Sequence, residues 1–114
     1  MIKIDEDFLK KYDNNSQKTF WYCYVSFSRN STKCIKLIKP VEVRIVKLSD
    51  FLYKVHNTAS NELILSEYTY QRSVIVFETI NECVDYFNSI IRNEIDKLTS
   101  NYEKHLKMLK DKLI

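Results

Sequence analysis

The last third of the chain carries hydrophobic residues that recur every three or four positions, and this feature constrains the fold most. Such spacing places side chains along one face of an α-helix. Thr79 and Glu82 form a capping box, the Ser/Thr-x-x-Glu pattern that starts a helix, and no proline follows to end it. The hydrophobic stripe consists of Val84, Phe87, Ile91, Ile95, Leu98, Tyr102, Leu106, Leu109 and Leu113.

An unbroken helix over 79–114 would hold about 35 residues and span ~50 Å, whereas a compact domain of this size has a radius of gyration of ~13 Å. Its far end would extend past the rest of the domain and expose hydrophobic side chains, so we expect a homodimer or a larger homo-oligomer. The alternative is a break at 99–101, where Ser100 and Glu103 form a second capping box and a helical hairpin could fold back on the same protomer. The residues assigned to the oligomer interface are Leu98, Tyr102, Leu106, Leu109 and Leu113.

The chain contains no glycine, which excludes the P-loop, the dinucleotide-binding fingerprint and the kinase phosphate-binding loop. His56 and His105 stand in different predicted elements, and no nucleophile can be paired with either from spacing alone. Cys23, Cys34 and Cys83 lack both a zinc-ligand spacing and a closed disulfide framework. We therefore expect no enzymatic activity, no cofactor and no metal, and we expect the thiols to be reduced and buried.

The middle of the chain predicts an antiparallel sheet, because short polar turns separate segments rich in aromatic and β-branched residues. Pro40 either separates two of these strands or marks a bulge. The sequence predicts a single α+β domain with an N-terminal arm (1–16), an antiparallel sheet of five or six strands (17–78) and a C-terminal helical region (79–114). Within the arm, one or two helical turns are expected over 5–12. Strands are expected over 18–28, 33–38, 41–48, 51–56, 62–67 and 72–77.

Aromatic and basic residues of the predicted sheet form a candidate ligand-binding surface. Alternation over 18–28 puts Phe20, Tyr22 and Tyr24 on one face. Aromatic rings stack on nucleobases and arginine binds phosphate, so this surface suits a nucleotide or a single strand. The other interpretation makes the aromatic residues part of the core and the bases solvent-exposed. The bases near these rings are Arg29, Lys33, Lys36 and Arg44.

The net charge of +3 is too small to indicate a strong nucleic-acid binder by itself. The first residues lack a basic region followed by a long apolar run, so we predict no secretory signal. A cytoplasmic protein with no membrane partner is the default expectation. On the predicted helix, Asn88 and Arg92 lie one turn apart and could project together into a ligand-binding cleft, or face solvent.

The segment Val-Ile-Val-Phe-Glu-Thr-Ile-Asn-Glu-Cys-Val-Asp-Tyr-Phe-Asn (74–88), followed by a long charged helix in a glycine-free chain, resembles small phage proteins that counter bacterial immunity. The layout of 74–114 resembles in particular the Thoeris anti-defence sponge family, in which protomers assemble around a cyclic ADP-ribose signal. The resemblance implies that Phe77, Asn88 and a basic residue of the late helix contact the ligand. Here His105 and lysines stand where the family would have an arginine.

The resemblance implies a stoichiometric phage protein in the host cytoplasm that either inhibits a host immune effector or sequesters its cyclic nucleotide messenger. The alternative function is a small nucleic-acid-binding or transcription-modulating protein that uses the basic strands. Its affinity would fall steeply with salt, because phosphate contacts release counterions.

Overall fold

The structure is a computed structural model that describes residues 1–28 and 34–113. Strands β2 to β5 form an antiparallel sheet in chain order, and β1 pairs with β6 in a second antiparallel sheet. The predicted α+β class, a sheet followed by a long helix, is confirmed. The elements are β1 (Ile2–Ile4), α1 (Glu6–Lys11), one 3-10 turn (Asn14–Ser16), β2 (Thr19–Phe27), β3 (Cys34–Lys47), β4 (Leu52–Asn57), β5 (Leu63–Tyr68), β6 (Val74–Val76) and α2 (Ile80–Lys110).

The N-terminal segment contributes a strand as well as the expected helical turns. Strand β1 pairs with β6 in a register that places Ile4 opposite Val74, and both residues are buried. The Asp5 carboxylate accepts a hydrogen bond from the Phe8 amide at 2.9 Å, which caps α1. Leu9 of α1 is fully buried against the sheet. The segment is thus part of the core.

Strand β3 runs through Pro40 without a break, so the strands expected at 33–38 and 41–48 form one strand. Pairing with β2 shifts by one residue between Tyr22–Val41 and Tyr24–Ile38, so the irregularity falls at the proline. A bulge leaves one residue outside the hydrogen-bond ladder, and proline lacks the amide hydrogen that the ladder would need. The bulge interpretation of Pro40 is therefore correct.

The main sheet buries side chains on both faces. Phe20 and Tyr22 face the main cluster, on what we call the inner face, while Trp21 and Cys23 face a second cluster on the outer face, under α2. The alternation predicted for 18–28 is confirmed at these positions. The second cluster consists of Cys23, Phe77 and Cys83, with Trp21, Ile75, Tyr86 and Phe87 packed against it. The main cluster consists of Ile4, Leu9, Phe20, Tyr22, Val43, Ile45, Tyr53, Val55, Val74 and Val76.

The cysteines differ in their surroundings. All three are free thiols, and Cys23 and Cys83 are buried, as expected. Cys34 is exposed, so the expectation of a buried thiol is wrong there; it begins β3, whose first four residues are all exposed. Burial raises the pKa of the Cys83 thiol to about 12, and burial also raises the pKa of Cys23.

Helix α2 begins at the predicted capping box. The Thr79 hydroxyl accepts a hydrogen bond from the Glu82 amide at 3.2 Å and donates to the Glu82 carboxylate at 3.2 Å. The helix continues without a break to Lys110, so the helical hairpin is wrong. Thr99 lies at the predicted break, and its hydroxyl donates a hydrogen bond to the Ile95 carbonyl at 2.9 Å. The hydroxyl therefore has a hydrogen-bond partner within the helix.

The C-terminal half of α2 projects beyond the sheet, as predicted. The helix has 31 residues, a length of about 46 Å, and the molecule measures 72 × 27 × 22 Å. The radius of gyration is 18.9 Å, above the ~13 Å of a compact domain of this size. Every described residue from Ile95 onward is exposed. Among the expected interface residues, Tyr102 is 67 % exposed and Leu113 is 80 % exposed, while Leu98, Leu106 and Leu109 are also exposed.

Candidate functional site

Two small cavities meet at Tyr22, Tyr24 and Arg72, which line both of them. The smaller, of about 60 Å³, lies between β2, β3 and β5. The larger, of about 180 Å³, lies between β2, the chain that leads into β6, and α2. The sheet therefore curls far enough for Arg72, which follows β5 in the chain, to reach the tyrosines of β2.

The larger cavity lies where, in the described part of the chain, a single β-bridge joins β2 to the residue that follows β6. The Trp21 amide donates to the Phe77 carbonyl at 2.7 Å, and the Phe77 amide donates back to the Trp21 carbonyl at 2.8 Å. Beyond Trp21, within residues 1–28 and 34–113, no strand pairs with this edge of β2. The resulting gap runs past Cys23 and Val25, which line the cavity.

Two cations flank the ring of Tyr24. The Lys36 ammonium lies 5.8 Å from the ring centroid, and the Arg72 guanidinium carbon lies 5.5 Å from it. A cation within about 6 Å of an aromatic face is attracted by the negative face of the ring. We call Tyr22, Tyr24, Lys36 and Arg72 the cation–tyrosine cluster.

The cluster carries more positive than negative charge. The Nε atom of Arg72 lies 3.7 Å from the Glu67 carboxylate. In the described part of the chain, Lys36 has no carboxylate within ion-pair distance. Burial raises the pKa of the Tyr22 hydroxyl, while the nearby Arg72 charge acts to lower it. Two cations thus face one carboxylate, an excess that favours an anionic ligand.

A buried hydroxyl without a hydrogen-bond partner lies next to this cluster. Tyr53 is fully buried and stands opposite Glu67 in the β4–β5 register. Its hydroxyl oxygen has no partner among the described residues. Burial raises the pKa of this hydroxyl, with smaller electrostatic contributions from Glu67, Arg72 and Tyr22. The proton therefore stays on the oxygen, and the interior beside the cluster holds an unused donor.

The structure brings together only part of the predicted surface. Tyr22 and Tyr24 share one site with Lys36, as expected, although Tyr22 is almost fully buried. Arg44 does not join them, because strand alternation turns it to the outer face, where its guanidinium donates to the Asn61 side-chain oxygen at 2.7 Å. Arg29 and Lys33 lie outside the described residues, as does the hairpin turn predicted at 29–32.

The other predicted ligand-binding residues, Phe77, Asn88 and Arg92, do not line these cavities. Phe77 is buried in the core, with its ring 5.2 Å from that of Tyr86, so it is not available at a surface. Asn88 is half-buried and Arg92 is exposed, and neither lines either cavity. Helix α2 instead contributes Tyr86 and Ile90 to the larger cavity.

Sequence reasoning missed Arg72. This residue follows the predicted turn at Tyr70–Gln71 and stands 48 positions after Tyr24, so spacing gave no reason to connect them. The contact depends on the curl of the sheet. The sequence offered only a weak indication. Arg72 stands at the start of the last predicted strand, next to a turn, and binding residues are frequent in the segments that connect strands.

Within the described residues, no three or more His, Cys, Asp or Glu side chains are grouped so that they could hold a metal ion. No helix in the same ranges combines the length and apolar composition of a bilayer-crossing segment. No protein-family model, curated protein or solved structure matches this chain.

Proposed function

We propose that the protein binds a phosphate-bearing ligand at the cation–tyrosine cluster and releases it chemically unchanged. One observation supports this most directly: Lys36 and Arg72 flank the ring of Tyr24 at the mouth of a cavity. An aromatic ring can stack on a nucleobase while the neighbouring cations bind phosphate oxygens.

The size of the cavities limits how the ligand is held. At about 60 and 180 Å³, they are smaller than the 300–1,000 Å³ of pockets that enclose a small molecule. The site can therefore hold a phosphate and one ring, while the rest of the ligand stays outside. A cyclic nucleotide messenger fits this description, and its stoichiometric sequestration by a phage counter-defence protein is the form of the proposal that we favour.

Calorimetry with inorganic phosphate, ATP, cyclic ADP-ribose isomers and cyclic dinucleotides tests the proposal. We expect one ligand per chain, bound at micromolar concentration and recovered intact. Arg72→Gln and Lys36→Gln should each weaken binding by about tenfold or more, since a charged hydrogen bond contributes about 1.5–3 kcal/mol. Arg44→Gln, on the opposite face, is the matched control and should bind like the wild type. Absence of binding by all of these ligands at tens of micromolar would refute the proposal.

A second candidate is single-strand nucleic-acid binding, which the exposed ammonium of Lys36 beside the ring of Tyr24 favours. Oligonucleotide affinity should then exceed mononucleotide affinity and fall steeply as salt rises. Binding to a mononucleotide alone, with weak salt dependence, would favour sequestration. One-to-one inhibition of a purified host immune effector that Arg72→Gln leaves intact would assign the counter-defence role to effector inhibition instead.

A further inference from the structure

The hydrophobic stripe of α2 has an 11-residue period. Counted from Ile80, one step before the first stripe residue Val84, hydrophobic residues follow at steps of four, three and four positions. This set of steps occurs three times, and the last step reaches Leu113, three residues past the end of α2. Eleven residues in three turns is 3.67 residues per turn, close to the 3.6 of a straight helix. The stripe therefore stays on one side of α2 along its whole length.

The side of α2 that packs most closely on the protein's own sheet is not centred on the stripe, although Phe87 of the stripe packs against the second cluster. Cys83 is fully buried, and Tyr86 and Ile90 line the larger cavity, so these residues mark the sheet-facing side. At about 100° per residue, they lie roughly a third of a turn away from the stripe. Ile80, at the start of the stripe, is 46 % exposed although it precedes the buried Cys83 by only three positions. The stripe is thus partly accessible beside the sheet, where Val84, Phe87 and Ile91 are half-buried, and it is exposed beyond the sheet.

The steps of the stripe read the same in both chain directions. If two copies of α2 lie antiparallel, with their centre between Ile95 and Leu98, every hydrophobic position faces a hydrophobic position of the other copy. Ile95 then meets the partner's Leu98, and Ile91 meets the partner's Tyr102. A parallel pair would also align the stripes, so hydrophobicity alone does not determine the orientation.

The distribution of charge along α2 favours the antiparallel orientation. Four exposed charged residues, Asp85, Arg92, Glu103 and Lys110, lie on one flank of the stripe, which also carries Asp96 and Lys107. None of the four forms an ion pair within the described residues. An antiparallel pair sets this flank against the same flank of the second copy, which places Arg92 beside the partner's Glu103 and Asp85 beside the partner's Lys110.

The total charge of the helix has the same asymmetry. Residues 80–96 carry four acids and one base, for a net charge of −3, and residues 97–113 carry five lysines and two acids, for a net charge of +3. Antiparallel packing sets the acidic half of one helix beside the basic half of the other and also opposes the two helix dipoles.

We infer that the exposed face of α2 binds α2 of a second copy of this chain in an antiparallel, two-fold symmetric pair. This inference goes beyond the proposed ligand site and does not depend on it.

Light scattering on the purified chain tests whether a second copy of the chain covers the exposed face of α2. The wild type should have twice the 13.7 kDa mass of one chain, and Leu106→Glu combined with Leu109→Glu should reduce this to 13.7 kDa. Both residues lie beyond the sheet, so circular dichroism of the fold should not change. Met108→Glu is the control, because Met108 is 59 % exposed but lies off the stripe, and it should leave the dimer intact. A wild-type monomer at 100 μM, or equal dissociation by the control, would overturn the inference.

Two further experiments test the orientation. Arg92→Glu and Glu103→Arg should each weaken dimerisation about fivefold to tenfold, and the double variant should restore it to within about twofold, because it exchanges both signs. In a Cys34→Ser background, Ile91→Cys mixed with Tyr102→Cys should form a disulfide-linked dimer on mild oxidation, while Tyr102→Cys alone should not. Cross-linking of Tyr102→Cys alone, without the mixed product, would show a parallel pair and overturn the antiparallel assignment.

Discussion

The two halves of α2 share one hydrophobic repeat but differ in their surroundings. In 80–94, a second face of the helix packs on the outer face of the sheet, where Cys83 is fully buried. In 95–113, every residue is exposed, although the stripe continues with the same spacing. Hydrophobic periodicity therefore identifies which side of a helix is apolar, but it does not reveal which element, or which molecule, covers that side.

The comparison also separates two sources of helix stability. Most helical stability in proteins comes from tertiary packing, and helices shorter than about 12–15 residues are marginal alone. The first half has that packing in the monomer. The second half depends on its continuity with the first half and, by our inference, on a second chain. Three predictions sharpen this difference.

The largest effect should come from the packing under the first half. Phe77→Ala should lower the free energy of unfolding by about 3–5 kcal/mol, because the Phe77 ring is buried against Tyr86. Leu109→Ala, measured in dilute protein where dimers dissociate, should cost less than about 0.5 kcal/mol. Urea denaturation monitored by circular dichroism gives both values. Equal costs would mean that the second half packs on its own protomer after all.

The next effect is alkaline destabilisation through Cys83. Its pKa is raised from 9.0 to about 12 by burial, so the folded state holds the thiol proton more tightly than the unfolded state does. The contribution is complete below pH 9 and is lost as pH rises toward 12, by up to about 4 kcal/mol, since a tenfold change in proton affinity corresponds to about 1.4 kcal/mol. Unfolding measured between pH 8 and pH 11 should show this loss, and Cys83→Ala should have a flatter profile. An equally steep profile in the variant would assign the loss to other groups.

The smallest effect compares two threonines of α2. Thr79→Ala should lower the free energy of unfolding by about 1 kcal/mol, because it removes the oxygen that accepts from the Glu82 amide. Thr99→Ala should be neutral or slightly stabilising, because the Ile95 carbonyl is already part of the helix and alanine is the better helix former. Thermal denaturation of both variants checks this order. A larger loss for Thr99→Ala would show that its hydroxyl supports the second half.

Local patterns predicted the parts of the fold that depend on neighbours in sequence. The capping residue Thr79, the alternation in β2 and the stripe of α2 each involve residues a few positions apart, and the structure has all three. The bulge at Pro40 was one of two open alternatives, because a proline without an amide hydrogen suits both a strand end and a bulge.

Long-range geometry was not predictable in this way. Strand β1 has only three residues, and its pairing with β6 follows from burial of Ile4 beside Val74 and not from any sequence pattern. The candidate site depends on Arg72 reaching Tyr24, which requires a curled sheet. Arg44 was expected beside the tyrosines of β2, but it stands one position away from its buried neighbours in β3. A difference of one position in a strand places a side chain on the opposite face of the sheet.

The pairing of β1 with β6 has a consequence for how the protein is made. The two strands are about 70 residues apart, and contacts of such separation form late because a long loop must close first. On the ribosome, β1 is made before β6, so Ile2 and Ile4 must wait, unpaired, until β6 has been synthesised. The nascent chain thus exposes these hydrophobic side chains while the intervening residues are being synthesised, and chaperones can bind them during that time.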